Sequence, residues 1–145
     1  MRARLLDSTA GRRTFALVFD AGEEVTEGLL RLAREERLRG SHFSGIGALQ
    51  EVVLGYWDRE AKDYRRIPIR EQVEVLSLLG NLALGPDGAP KLHAHLVVGK
   101  ADGSAYGGHL LEGHVQPTLE LVVRESPSHL QRRLDPATGL PLLVP

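Results

Sequence analysis

Two histidines separated by one residue, His93 and His95 in LHAHLVVG, are the best placed by type and spacing to do chemistry. In a β-strand, residues two apart project from the same face with Cα atoms roughly 6.5 Å apart. Two imidazoles at that spacing can converge on one ion. Zinc is commonly held by histidine nitrogens, and a catalytic zinc keeps three protein ligands and an open fourth position. The third candidate is His109, in YGGHLLEG on the next expected strand.

Strand parity decides whether His109 can join the pair, because directly opposite residues of a hairpin share a face. A two-residue Asp102-Gly103 turn pairs residues whose numbers sum to 205, which sets His109 opposite Leu96 and away from the other two histidines. A three-residue Ala101-Asp102-Gly103 loop gives a sum of 204 and sets His109 across from His95, with Gly103 at the left-handed position of such a loop. A bulge at Gly107-Gly108 would rescue the first register. The metal reading requires one of these two features. Without it, the three are hydrogen-bonded sheet histidines.

Among the carboxylates, Glu120 on the strand after His109 is a candidate fourth ligand or general base, and Glu71 is a second candidate for moving protons. The competing role for Glu120 is a salt bridge to an arginine such as Arg124. SGIGAL has neither the third glycine nor the lysine of a phosphate loop, so Gly45 and Gly47 read as sites of close backbone packing. Tyr56 and Trp57, just before a turn, read as core or interface.

These side chains need a sheet to hold them. Phe15–Phe19 reads as a strand. Asp20 with Glu23 resembles a capping box, and Val25, Leu29, Leu30, Leu32 and Ala33 recur at helical spacing to about Arg37, ahead of Gly40. Strand signals follow at 41–49, 51–58, 64–69, 71–84, 91–100, 104–115 and 118–125, with a turn at Gly85-Pro86-Asp87-Gly88. Ser126 as N-cap and Pro127 at the first helical position suggest a short helix through Leu134, followed by a packed loop. The expected class is α+β: a mainly antiparallel sheet, one long N-terminal helix and a short C-terminal helix. One domain over 1–145 is expected, with its core at about 15–125 and a tail at 126–145.

Composition narrows the function classes. With 145 residues and 42% of them apolar, the chain can bury a core without disulfide or metal. It has no cysteine, which removes thiolate catalysis and cysteine zinc sites. The basic N-terminus lacks a signal-peptide apolar stretch, and no window reaches the roughly 20 apolar residues of a membrane span, so a soluble cytoplasmic protein is expected. Net charge is −1, without the basic excess typical of duplex binders. Arg31, Arg34, Arg37 and Arg39 alternate with Glu27, Glu35 and Glu36, as on a solvated helix face.

SGIGAL, LGYWD, EQVEVLSLLGN, LHAHLVVG, YGGHLLEG and PTLELVV stand in an order and spacing that resemble the plants-and-prokaryotes-conserved (PPC) family, from about Phe15 to Glu125. The resemblance implies a homotrimer. Plant relatives carry AT-hook motifs for the minor groove of DNA; this chain has no Arg-Gly-Arg-Pro hook, so DNA binding by the isolated chain is expected to be weak. The paired histidines with a third are typical of the prokaryotic branch. They are similar to the three-histidine zinc arrangement of acetolactate decarboxylases, which implies zinc or another divalent metal on His93, His95 and His109. Three readings follow: a trimeric metal-binding or regulatory protein, associated with DNA through the oligomer; a zinc-dependent enzyme of lyase or hydrolase type on a small oxygen-rich substrate; and a non-catalytic assembly module.

Overall fold

A computed structural model describes residues 1–126 and 129–144. Nine strands and one helix follow in the order β1 (Arg2–Thr9), β2 (Arg12–Asp20), α1 (Val25–Glu35), β3 (Gly40–Asp58), β4 (Asp63–Ile69), β5 (Val73–Leu84), β6 (Pro90–Gly99), β7 (Ala105–Glu125), β8 (Gln131–Leu134) and β9 (Pro141–Val144). The class is therefore mainly β, and this corrects the α+β expectation. The helix has 11 residues, about 16 Å of axis, and is not the long element that its periodicity suggested.

The reason lies at its start. The ladder between β2 and β7 runs on through Asp20↔Thr118, so Asp20 belongs to a strand. Glu23 does accept from the Asp20 backbone N–H at 2.9 Å, as in a capping box, but the helix opens later with Glu24 as its N-cap. Glu24 accepts from the Glu27 N–H at 2.7 Å and from the Gly113 N–H at 3.1 Å, fixing the helix entrance to β7. Val25, Leu29, Leu32 and Ala33 fill the buried stripe of the helix, which packs on β6 and β7.

The expected C-terminal helix is a second correction. Gln131–Leu134 is a strand paired antiparallel to Pro141–Val144. Asp135 Oδ2 accepts from the Thr138 N–H at 3.0 Å and its hydroxyl at 2.6 Å, and Gly139 follows at φ +76°, which closes a hairpin. Pro127, the residue expected to start that helix, lies outside the described residues. The N-terminal segment is likewise a strand, β1, with every residue exposed.

Two strands are far longer than expected. β3 spans 19 residues and β7 spans 21, each joining two segments that read as separate strands. They pair with each other from Ser41↔Glu125 to Gly55↔His109 with three register shifts, and these let the ladder bend without breaking. β3 also pairs with β5, β5 with β6, and β6 with β7, so these four strands close a ring. Alternate residues point into the core: Ala94, Leu96 and Val98 of β6 and Leu110 of β7 are each at most 4% exposed. His93, His95 and His109 therefore face the other way. No helix among the described residues is long and apolar enough to cross a membrane.

Candidate metal centre

The β6–β7 hairpin adopts the three-residue register. His95 pairs with His109, Leu96 with Gly108, and the Lys100 carbonyl accepts from the Gly103 N–H at 2.9 Å. Gly103 sits at φ +82°, where a side-chain-bearing residue would be strained. Asp102 braces the loop by accepting from both the Ser104 N–H and its hydroxyl. Same-face parity then carries all three imidazoles to one patch. The ring centroids form a near-equilateral triangle: 5.1 Å for His93–His95, and 5.3 Å for both His93–His109 and His95–His109.

One nitrogen from each ring lies within 4.8 Å of the other two. The His93 and His95 Nε2 atoms are 3.1 Å apart. Two ligands at zinc–nitrogen distances of 2.0–2.1 Å and a tetrahedral angle would be separated by about 3.3 Å, so this spacing suits a shared ion. The donor set also suits it, since it has imidazole nitrogen only and no thiolate.

Neighbouring elements hold the triangle in place. The Tyr64 ring of β4 stacks on His109 at 4.5 Å between centroids, with its hydroxyl 3.5 Å from His109 Nδ1. Trp57 meets Tyr64 edge-on at 5.1 Å. This stacking needs Gly55, the cross-strand partner of His109: a Cβ there would lie 2.8 Å from Tyr64 Cδ1. On the other flank Asn81 pairs with His93, and its side-chain oxygen accepts from the Arg132 guanidinium at 2.6 Å.

Arg132 is only 6% exposed and also donates to the Pro141 carbonyl at 3.0 Å. Burial lowers the pKa of His109 to about 4, with smaller contributions from the positive charges of His93, His95 and Arg132. Burial, then Arg132 and His95, likewise lowers that of His93. All of these effects favour the neutral imidazole, the form that binds metal. His93, His109, Tyr64, Arg132 and the β9 residues Pro141 and Leu142 line a cavity of about 170 Å³.

The carboxylates end up elsewhere. Glu120 lies at the far end of β7, opposite Val18 and Ile46, beside a different cavity. Glu71 pairs with Lys100 at 2.7 Å. Neither belongs to the three-histidine group. His114 faces Glu51 at 3.7 Å, apart from the cluster. Tyr64, Asn81 and Arg132 are the site residues that sequence reasoning missed. The only signal for Arg132 is an arginine inside an apolar-flanked tail segment whose start mimics a helix.

A family model described as the Plants and Prokaryotes Conserved (PCC) domain matches residues 6–127. Among curated proteins, a bifunctional protein GlmU from Synechococcus is 36% identical over 121 residues, covering 81% of this chain and 18% of the relative. The chain thus spans about a fifth of the length of the curated relatives it matches. Among solved structures, a PPC protein from Pyrococcus horikoshii superposes with TM-score 0.85 at 33% identity, over 92% of both chains. A metal-containing protein from Archaeoglobus fulgidus does so with TM-score 0.83 at 32% identity, over 100% of this chain and 99% of the other. A protein from Ralstonia eutropha named for DNA binding gives TM-score 0.84 at 31% identity, over 90% of each chain. The α-acetolactate decarboxylase of Bacillus subtilis shares the fold alone: TM-score 0.57 at 15% identity, over 77% of this chain and 51% of that one. With its family model spanning most of the chain and relatives above 30% identity along nearly all of it, this chain belongs to the Plants and Prokaryotes Conserved domain family.

Proposed function

We propose that this chain is a trimeric PPC-domain protein that binds one divalent metal, zinc or a similar ion, through His93, His95 and His109. The observation that carries the reading is the triangle of imidazoles, each ring 5.1–5.3 Å from the other two, on a hairpin whose register depends on one loop. The name of the Archaeoglobus fulgidus relative as metal-containing supports it. Three histidines supply no negative charge, so a bound divalent cation keeps its full charge and an open coordination position. Such an ion would supply Lewis acidity toward a carbonyl oxygen or a bound water.

The trimer is supported by an exposed apolar surface on the outer side of the strand ring, where Ile46, Leu76, Leu79 and Val122 are 38–63% exposed. A role on DNA, as the name of the Ralstonia relative suggests, would work through that assembly and not through the single chain.

The cavity flanked by His93 and His109 favours a second reading, a zinc-dependent enzyme of lyase or hydrolase type on a small oxygen-rich substrate. The test of both starts with metal analysis of protein purified without a histidine tag. One zinc or equivalent per protomer, lost in His93→Ala and His109→Ala while the fold persists, supports the site. A wild-type protein that takes up no divalent metal at micromolar concentrations overturns it. Turnover that tracks metal content would then favour the enzyme.

A further inference from the structure

Arg132 presents an unusual electrostatic problem. Its side chain is buried, yet it forms no ion pair with a carboxylate among the described residues. Two of the five guanidinium N–H donors are used, by the Pro141 carbonyl and the Asn81 side-chain oxygen, and both acceptors are neutral. Nε is enclosed with no acceptor among the described residues. Burying a charge without a counter-charge is strongly unfavourable unless something else supplies that charge. The fold nevertheless builds this arrangement from two sides: the β8–β9 hairpin carries the arginine, and Asn81, directly opposite His93, receives it.

The surroundings describe the missing counter-charge. Arg132 lines the same cavity as His93 and His109, whose nitrogens bring no negative charge. Lys91, also on the cavity wall, is already paired with Asp87 at 3.0 Å. The remaining wall is largely aliphatic: Leu92, Leu140, Pro141 and Leu142. At about 170 Å³ the space lies below the roughly 300–1,000 Å³ of pockets that take drug-sized ligands, and it suits a handful of non-hydrogen atoms.

We propose that this cavity binds a small aliphatic carboxylate, its charge against the Arg132 guanidinium and its short chain against Leu92, Leu140 and Leu142. The planar guanidinium favours a carboxylate as partner, and a water-poor wall strengthens the pairing. The inference deepens the metal-site reading and rests on it for the site's full positive charge. A cation on the histidines and the guanidinium beside them form two positive poles, and one anion satisfies both. Metal and carboxylate should therefore bind with positive coupling, each tightening the other by the same factor.

The test is calorimetric titration of untagged protein, zinc-loaded and zinc-free, with isovalerate, its neutral isostere isovaleramide and inorganic phosphate. Isovalerate is expected to bind saturably, at least tenfold tighter than isovaleramide, and more tightly with zinc than without. In the zinc-free protein, Arg132→Gln should weaken isovalerate at least tenfold and bring it to the level of isovaleramide. Should that variant fail to fold, the acid-to-amide ratio of the wild type, with a shift of the Arg132 Nε–H resonance on adding the acid, decides the same question. Equal affinity for acid and amide, isovalerate binding untouched by Arg132→Gln, or phosphate bound in preference to the acid would each overturn the proposal. Zinc uptake without isovalerate binding removes this inference and leaves the metal site. Isovalerate binding in a protein that takes no zinc does the reverse.

Discussion

At the residue scale, the informative contrast is between what a histidine does in water and what it does in this triangle. An exposed imidazole charges as pH falls through 6.5, whereas burial, aided by His93, His95 and Arg132, holds His109 neutral to about 4. Metal ligation needs the neutral ring, so zinc occupancy should survive acidification past the ordinary histidine range. The expected midpoint for zinc release lies below pH 6.5, measured with a colorimetric chelator across a pH series. A midpoint above that value would contradict the buried geometry of His109. The metal-free fold carries the same sign. Between pH 6.5 and about 4 the unfolded chain binds the proton and the folded chain does not, so stability should fall as pH falls through that window. His109→Asn removes the group, and its urea midpoint should depend less steeply on pH there. Tyr64, stacked on the ring, makes His109 the most sheltered of the three histidines, while His95 is exposed.

At the scale of elements, the site depends on hairpin register more than on any single packing contact. A slip of one residue in a strand carries every side chain to the other face, and here it would set His109 opposite the core residue Leu96. Gly103, at φ +82°, holds the three-residue loop. Gly103→Ala should cost about 1 kcal/mol in urea unfolding with an unchanged slope, because an alanine strains at positive φ. If strain shifts the register, zinc affinity should drop at least tenfold as well; unchanged stability and affinity would show that the loop makes no demand on Gly103. This register was legible from sequence because strand parity and loop length are local rules. The spacing of His93 and His95 and the position of Gly103 were enough to define the two alternatives. The helix is shorter than its periodicity for an equally physical reason: Asp20 and Glu23 do form a cap-like hydrogen bond, but the pairing of β2 with β7 claims Asp20 for the sheet. Arg132 and Asn81 were invisible because their contact joins residues about fifty positions apart, and neither carries a local signature. The β8–β9 hairpin was hidden because Ser126 followed by Pro127 reads in sequence as the start of a helix running through Leu134.

At the scale of the whole molecule, two surfaces give opposite indications about partners. The outer face of the strand ring exposes Ile46 at 63%, Leu79 at 58% and Leu76 at 55%, and these line one shallow cavity together with Val122. Ile46→Asp, opposite Glu120 of β7 and outside the β6–β7 hairpin that carries the histidines, should convert an oligomer to monomer in light scattering while zinc content stays constant. A wild-type chain that scatters as a monomer at every concentration would refute assembly through this face, which should bury above about 1,000 Å² in total. Nucleic acid is the other question, since one relative is named for DNA binding while this chain carries a net charge of −1. Non-specific duplex affinity comes mainly from basic side chains displacing counterions from phosphates. Several arginines here are already engaged: Arg13 holds Glu36 and Glu125, Arg2 holds Asp20, and Arg66 reaches Glu112. Each arginine already held by a carboxylate is a weaker phosphate contact, so few counterions should be released per protomer. Assembly would multiply whatever patch remains, since three weak contacts on one rigid particle bind far better than one. The expected outcome for untagged protein at roughly 150 mM salt is therefore no binding to AT-rich or mixed duplexes tighter than the non-specific range of about 10⁻⁴–10⁻⁶ M, with a shallow salt dependence. Submicromolar, sequence-dependent binding under those conditions, retained by wild type and lost by Ile46→Asp, would show instead that the oligomer builds a DNA surface that the single chain lacks.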